Sequence, residues 1–334
     1  MSESKTNIQV DAVITWVDGN DKIWQEKINT YSEKKINFSS EKHKRRYNSI
    51  GEIDIAITSI IKFAPFIKNI FLVTDNQSPK SFDSLKTLAK AQNINLELID
   101  HKVIFDGYHQ YLPCFNSCSI GSMLFRIPNL SEHFVIFNDD TFLMRPVSIN
   151  DFFINGQPVL RGAWQKFNED RIIRTCYKKI QGFLGKPKKT GGYSFKKLQQ
   201  NSAKLAKTDR YLRRFHTPVC LRKSTLENFF KTNKTRLEAN IKHRFRNENQ
   251  FIISSLSEHL EIKNKTFHFR KNAQLTYFRN YKKLYLTKWK LKKFESNNNK
   301  IFITFQSLDM ADDTSLKFIL KWIDKQLSFN SNQK

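Results

Sequence analysis

The chain has 334 residues, 39% hydrophobic and 13% aromatic, enough to fill a large core, which excludes a disordered or low-complexity polymer. Its 57 lysines and arginines outnumber 31 acids and leave a formal charge of +26, which calls for a polyanionic neighbour: nucleic acid, an anionic membrane surface or phosphate-bearing substrates. No RNP, helix-turn-helix, zinc-finger or Gly-rich phosphate-loop pattern accompanies the charge, so nucleic acid is not an expected partner.

In chain order the apolar runs alternate between strand and helix. A strand is predicted over Ala12–Val17, a helix over Glu52–Phe63, a strand over Asn69–Thr74, a helix over Ser81–Ala91, a strand over Leu96–Ile99, a helix over Ser117–Arg126 and a strand over Phe134–Phe137. That order argues for βαβ units and a parallel, helix-covered sheet within 8–150. Between 155 and 214 the pattern weakens, and Gly182, Gly185, Gly191 and Gly192 sit among lysines, as in a mobile basic insertion or lid suited to phosphates. From 215 to 328 helices return, at Ser224–Thr232, Asn249–His259 and Ser315–Leu327. With no internal repeat, one unit over 8–334 is expected.

Four cysteines, Cys114, Cys118, Cys176 and Cys220, have no repeated CxxC spacing and read as reduced thiols rather than a zinc site or disulfide framework. The N-terminus lacks the apolar core of a signal peptide, and no apolar run approaches the roughly 18 residues that span a bilayer. The expected location is the cytoplasm. The basic stretches Arg171 to Arg214 and Lys282-Lys283 through Lys292-Lys293 read either as a solvated face or as a peripheral contact with an anionic membrane or polymer at the inner face of the cytoplasmic membrane.

The run Phe134-Val-Ile-Phe stops at Asn138, Asp139 and Asp140, and Val10-Asp-Ala-Val-Ile-Thr-Trp-Val17 stops at Asp18-Gly-Asn-Asp21. Adjacent carboxylates at a strand end serve either turn chemistry or a divalent metal. Open α/β sheets bind ligands at the carboxyl ends of their strands, so two acidic strand ends point to one shared site.

Four stretches carry a family resemblance: Asp11-Ala-Val-Ile-Thr-Trp-Val-Asp-Gly-Asn-Asp21; Ser59 through Gln77 with Leu112-Pro-Cys-Phe-Asn-Ser117 and Arg126 through Asp140; His216-Thr-Pro218 with His243-Arg-Phe-Arg246; and Phe302-Ile-Thr-Phe-Gln-Ser307. Together they resemble the characteristic regions of the Stealth family of sugar-1-phosphate transferases, which includes bacterial capsular polysaccharide enzymes and the Golgi N-acetylglucosamine-1-phosphotransferase. The resemblance implies an α/β fold with a mostly parallel nucleotide-sugar-binding sheet, Rossmann-like or GT-A-like, a basic and mainly helical insertion, and C-terminal helices. It also implies transfer of a hexose-1-phosphate from a UDP-sugar to a hydroxyl of a saccharide or capsular polymer, with release of UMP.

Residue by residue, the resemblance makes Asp139 and Asp140 ligands of Mg²⁺ or Mn²⁺ bridging the diphosphate. It places Asp18 and Asn20 in the loop that meets the nucleotide, with Trp16 packed beneath, and extends substrate contact to Asp75, Asn116 and Asn138. His216 becomes the general base on the acceptor hydroxyl, a task suited to imidazole. Arg246 becomes the bidentate clamp on the transferred phosphate.

This chain also departs from the family. Gly121 stands in Ile120-Gly-Ser122 where the family shows a glutamate, so catalysis would rest either on His216 and the metal alone or on another acid such as Asp75. An Arg-x-Arg-Asp stretch is reduced to Arg46-Tyr-Asn-Ser49, and an Asn-Asp of the fourth region is replaced by Gln306-Ser307. Two other readings compete: a metal-dependent glycosyltransferase releasing UDP, and a non-catalytic basic protein binding an anionic polymer or membrane.

Overall fold

The computed structural model describes residues 8–40, 50–170, 194–281 and 283–329. Its centre is a five-stranded sheet of β1 (Val10–Thr15), β2 (Ile67–Thr74), β3 (Asn95–Asp100), β4 (His133–Phe137) and β10 (Val219–Arg222), ordered β10-β4-β1-β2-β3. β1, β2, β3 and β4 run parallel, while β10 pairs with β4 in the opposite sense. The predicted mostly parallel α/β fold is what forms.

Burial on both faces explains the apolar continuity of these strands. Val10, Ala12 and Ile14 of β1 with Ile70 and Leu72 of β2 join one core, and Val13, Phe71 and Val73, pointing the other way, join a second. Helix α1 (Lys22–Tyr31) follows β1, and α2 (Glu52–Phe63), formed over the predicted residues, contributes to the first core. Helix α3 (Phe82–Ala91) joins β2 to β3, and the short α4 (His101–Ile104) and α5 (Ser117–Gly121) lead towards β4. Asp11 is fully buried in mid-strand. Its Oδ1 accepts from Asn69 N (3.2 Å) and Nδ2 (2.8 Å), and its Oδ2 from Ser131 N (2.7 Å), so the charge is satisfied and ties β1 to both neighbouring connections.

Smaller sheets wrap this centre. β5 (Thr141–Leu143), β12 (Leu275–Phe278) and β13 (Phe302–Phe305) form one, β6 (Phe153–Ile154), β7 (Gln157–Leu160) and β11 (His268–Phe269) another, and β8 (Gly162–Gln165) pairs with β9 (Tyr211–Arg214). Helices α6 (Phe195–Leu205), α7 (Lys223–Thr232), α8 (Lys234–Ile241), α9 (Ile253–Asn264), α10 (Leu284–Glu295) and α11 (Asp313–Leu327) complete the chain. Within 155–214, the described residues give β7, β8, β9 and the helix α6, whose Ser202 Oγ accepts from Ile252 N at 3.0 Å. The glycines at 182, 185, 191 and 192, Cys176, and Arg46–Ser49 lie outside the described residues.

Three spans differ from expectation. β1 ends two residues early, although Trp16 N still donates to Val73 O at 3.0 Å. The predicted helix 117–126 breaks after Gly121, where Ser122 Oγ bonds back to Cys118 O (2.8 Å) and a 3₁₀ turn over Leu124–Arg126 takes over. Helix α9 starts at Ile253 rather than Asn249, because Gln250 and Asn240 tie the preceding residues into a buried polar turn.

Candidate active site

The chain runs from β1 outward to β2 and β3, then crosses back to place β4 on the other side of β1. A crevice opens at the carboxyl ends of strands where such an order reverses. Here Thr15, Trp16, Asp75, His101 and Asp139, from the ends of β1, β2, β3 and β4, line a cavity of about 170 Å³ closed by Trp24 and Phe115. A wider cleft of about 690 Å³ contains Asn138, Asp140, His216 and Arg214. Thr15, Ser117, Asp139 and Arg246 border both, so the two are one site with a narrow and a wide half.

In the wide half, His216 Nε2 lies 3.0 Å from Asp140 Oδ1, 3.3 Å from Oδ2 and 3.2 Å from Asn138 Nδ2. An Nε2–H donates to the carboxylate, and a bare Nε2 accepts from the amide, so the two neighbours serve opposite tautomers. The edge of the Tyr277 ring meets the imidazole at a centroid distance of 5.7 Å. Behind the pair stands β13. Phe305 N donates to Asp140 O (3.0 Å), and Thr304 Oγ1 donates to His216 O (3.1 Å) and bonds Thr141 Oγ1 (2.9 Å). β13 thus braces both Asp140 and His216 through backbone and hydroxyl contacts. Gln306 accepts from Tyr277 OH on its side chain and from Tyr281 OH on its carbonyl (2.9 Å).

Asp139 sits where the halves meet. Burial first, then repulsion from Asp140 and Glu52, push its carboxyl up to about 7. Two crowded carboxylates in this state suit a divalent cation, and Mg²⁺ commonly takes one or two carboxylates and completes its shell with water and substrate phosphates. Among the described residues, no group of three or more His, Cys, Asp or Glu side chains closes around one metal position. Two carboxylates fit a cation that takes its remaining ligands from water and substrate phosphates.

Arg246 Nη2 donates to Ser117 Oγ (3.1 Å) at the boundary of the two halves. Its loop is held by Asn116, fully buried, whose Nδ2 donates to His243 O, Phe245 O and Gln250 Oε1, each at 2.9 Å, while Oδ1 accepts from Cys118 N (3.1 Å). Asn116 is thus engaged wholly within the protein and lines neither half. Asp18 and Asn20 line neither half as well: Asp18 Oδ1 accepts from Asn20 N (2.9 Å), and Gln77 fixes the loop through Asp18 N (3.0 Å) and Asp21 Oδ2 (2.8 Å). Asp75 lines the narrow half, its carboxylate gripped by Lys27 Nζ at 2.7 and 2.9 Å, and does not border the cleft of His216. Trp16 Nε1 and His101 Nδ1, both buried and without a hydrogen-bond partner among the described residues, also lie in residues of the narrow half.

Sequence reasoning missed His101, Tyr277, Thr304 and the proximity of Glu52. Only Thr304 had a signal, since it lies within the fourth region. Gly121 borders the wide cleft, and a Cβ there would meet only Ile253 Cγ2 at 3.6 Å.

Comparison with known proteins follows this geometry. Residues 9–36 match the model of Stealth protein CR1, conserved region 1, and residues 46–159 that of Stealth protein CR2, conserved region 2. The chain is 40% identical over 149 residues to the capsular polysaccharide phosphotransferase fcs1 of Haemophilus influenzae, covering 44% of this chain and 38% of that protein. It is 31% identical over 258 residues to the exopolysaccharide phosphotransferase cps2G of Lactiplantibacillus plantarum, covering 73% of each. The match spans about two fifths of the capsular relatives' length. Among solved structures, the galactosyltransferase LgtC with donor and acceptor sugar analogues is similar at 9% identity and a TM-score of 0.47, covering 96% of this chain and 98% of that one. The bifunctional glycosyltransferase WbbM in its apo form gives 13% and 0.46, covering 89% and 46%.

Proposed function

We propose a function for this chain, which belongs to the Stealth family: it transfers a hexose-1-phosphate from a UDP-sugar to a saccharide hydroxyl, releasing UMP and leaving a phosphodiester in a capsular polymer. One observation carries the reading. A histidine stands within hydrogen-bond reach of a strand-end aspartate, beside a second aspartate and an arginine, in a cleft that narrows into an aromatic cavity.

Phosphoryl transfer asks a protein for alignment and charge neutralisation more than for covalent chemistry. The narrow half offers ring surfaces of Trp16, Trp24 and Phe115 for a base, and Asp75 held by Lys27 for the donor's polar edge. Asp139 and Asp140 would hold Mg²⁺ or Mn²⁺, which when bound neutralises phosphate charge. Arg246, aligned by Ser117, clamps the transferred phosphate from the boundary of the halves. His216 takes the acceptor's proton on a bare Nε2, the tautomer that Asn138 supports, and Asp140 stabilises the imidazolium that results. The oxygen attacks the phosphorus bound to the sugar, the P–O bond to UMP breaks, and the anomeric C–O bond stays intact. In this reading 8–334 works as one transferase unit: 8–150 carries the donor and 215–328 supplies His216, Arg246 and Tyr277.

The test is product analysis with a panel of UDP-sugars and a saccharide acceptor. UMP in equal amount with a diester ³¹P resonance coupled to the anomeric proton is expected. UDP with a phosphorus-free product would overturn the reading in favour of a glycosyltransferase, and no turnover of any donor in favour of a binding protein.

A further inference from the structure

Helix α10 leaves its apolar side chains in water. Tyr285 is 64% exposed, Leu286 46% and Trp289 57%, whereas Thr287, Leu291 and Phe294 on the opposite side are buried against the protein. The exposed three, with Lys292 and Lys293, fall at i, i+1, i+4, i+7 and i+8, which is one helical face. Lys288 is exposed at its margin, and Arg279 and the N-cap Lys283 are exposed just before the helix. Lys293 Nζ lies 5.1 Å from the Trp289 ring centre. The helix carries a single acid, the exposed Glu295 at its last position, whose Oε1 accepts from Trp322 Nε1 at 2.8 Å.

We propose that this face of α10 docks the protein on an anionic lipid leaflet, with Trp289, Tyr285 and Leu286 entering the interface and the surrounding lysines meeting lipid phosphates. The occupant follows from chemistry. Trp and Tyr prefer the headgroup level of a bilayer, Leu adds acyl contact, and lysines flanking an amphipathic helix gain from negative surface potential. A saccharide polymer would call for amide or carboxylate side chains beside the rings to bond its hydroxyls, and between 283 and 294 the exposed residues are lysines, Tyr285, Leu286 and Trp289. No described helix is long and apolar enough to cross a membrane. The contact also orients the site, because the short connection before α10 leads from Tyr277, whose ring touches His216. The docking stands independently of the transfer chemistry.

The experiment is co-sedimentation of the full chain with vesicles, without nucleotide. Vesicles of phosphatidylglycerol and phosphatidylcholine should retain it, pure phosphatidylcholine should not, and added salt should weaken retention. Lys292→Glu with Lys293→Glu should lower partitioning at least about tenfold, since each lysine contributes on the order of a fivefold factor. Tyr285→Ser with Trp289→Ser should lower it comparably with the salt dependence kept. Tryptophan fluorescence quenched by brominated acyl chains should lose that quenching in Trp289→Phe while binding persists. Unchanged quenching in Trp289→Phe, or binding indifferent to anionic lipid and salt, would overturn the proposal. So would capture of a soluble anionic polysaccharide that the Tyr285→Ser, Trp289→Ser protein loses while vesicles are ignored. UMP release with a soluble acceptor should be the same in these variants, so a failure of docking is distinct from a failure of the transferase reading.

Discussion

His216 Nε2 is nearer to Asp140 Oδ1, at 3.0 Å, than to Asn138 Nδ2, at 3.2 Å, and it cannot serve both in the same tautomer. The proton on Nε2 thus decides which neighbour is engaged, and a base must reach the Asn138 side before it accepts. His216→Ala should lower kcat by about 10²–10⁴ and remove the acidic limb of the pH–rate profile. Asn138→Ala should lower kcat by less and shift that limb, because the bare tautomer loses its donor. A limb unchanged in His216→Ala would move the search for the base elsewhere.

The crowding of Asp139 against Asp140 gives a measurement independent of turnover. If a cation relieves it, Mg²⁺ should raise the Tm of the wild type, while Asp139→Asn and Asp140→Asn should lose most of that rise. Chelation should abolish turnover, and Mg²⁺ should restore it. Asp140→Asn should lose at least about two orders of magnitude in kcat, because a ligand that neutralises phosphate supplies several kcal/mol. Near-normal turnover of folded Asp140→Asn would end the assignment.

Asn116 illustrates how a residue can matter to a site it does not enter. Asn116→Ala takes from Phe245 O its Asn116 donor, and from His243 O and Gln250 Oε1 one of two donors, the others being Ser119 Oγ and Asn247 N. A loss of about 1–3 kcal/mol of stability is expected, the cost of one unsatisfied buried group. Because those carbonyls hold the loop of Arg246, KM for the donor should rise as well. Urea unfolding and donor kinetics on the same preparation check both, and a rise in KM without a loss of stability would mean that Asn116 touches substrate.

The sheet was legible from the sequence because buried parallel strands are uniformly apolar and short, and the acidic pair was legible because two carboxylates interrupt such a run abruptly at its carboxyl end. Membership of His216 and Arg246 in the site came from resemblance alone, since both reach it from segments far along the chain. Helices α1, α8 and α10 were not foreseen. Their mean hydropathy is low and their burial one-sided, so composition reads as loop or charge run. The roles of Tyr277 and Thr304 were hidden because their strands are four residues long and acquire meaning only where β12 pairs with β13 and β13 with β5 behind Asp140.

Gly121 stands in the last turn of α5, not in the left-handed region, with open space beyond an ordinary contact to Ile253. Gly121→Ala should therefore stabilise the protein by about 0.5–1 kcal/mol through the unfolded chain's lost freedom. Turnover should stay within a few-fold, because the methyl is small against the cleft. A Tm below that of the wild type would show that the backbone there needs glycine.

Glu258 and His259 are adjacent, buried, and oppositely perturbed. Burial pushes Glu258 up to about 7 against the pull of Arg214, whose Nε is 3.5 Å from Oε2, and pushes His259 down to about 4. The imidazole is fixed as the neutral form: Nδ1 donates to Ser255 O (2.6 Å), and Nε2 accepts from Leu212 N (3.0 Å). For Glu258 the folded state holds a proton that the unfolded chain releases above about 4.5, so its contribution is present at low pH and fades as pH rises through 7. For His259 the unfolded chain takes a proton below about 6.5 that the fold refuses until about 4, so its contribution is present above 6.5 and fades on acidification. The two slopes oppose one another between roughly pH 4.5 and 6.5, each at up to about 1.4 kcal/mol per pH unit. Single variants should uncover them. Relative to the wild type, Glu258→Gln should lose stability as pH falls through this window, His259→Gln should lose it as pH rises, and the double variant should track the wild type. Urea midpoints across pH 4.5 to 7 decide the matter, since contributions common to all four proteins cancel; two single variants parallel to the wild type would mean that neither group is titrating out of step with the unfolded chain.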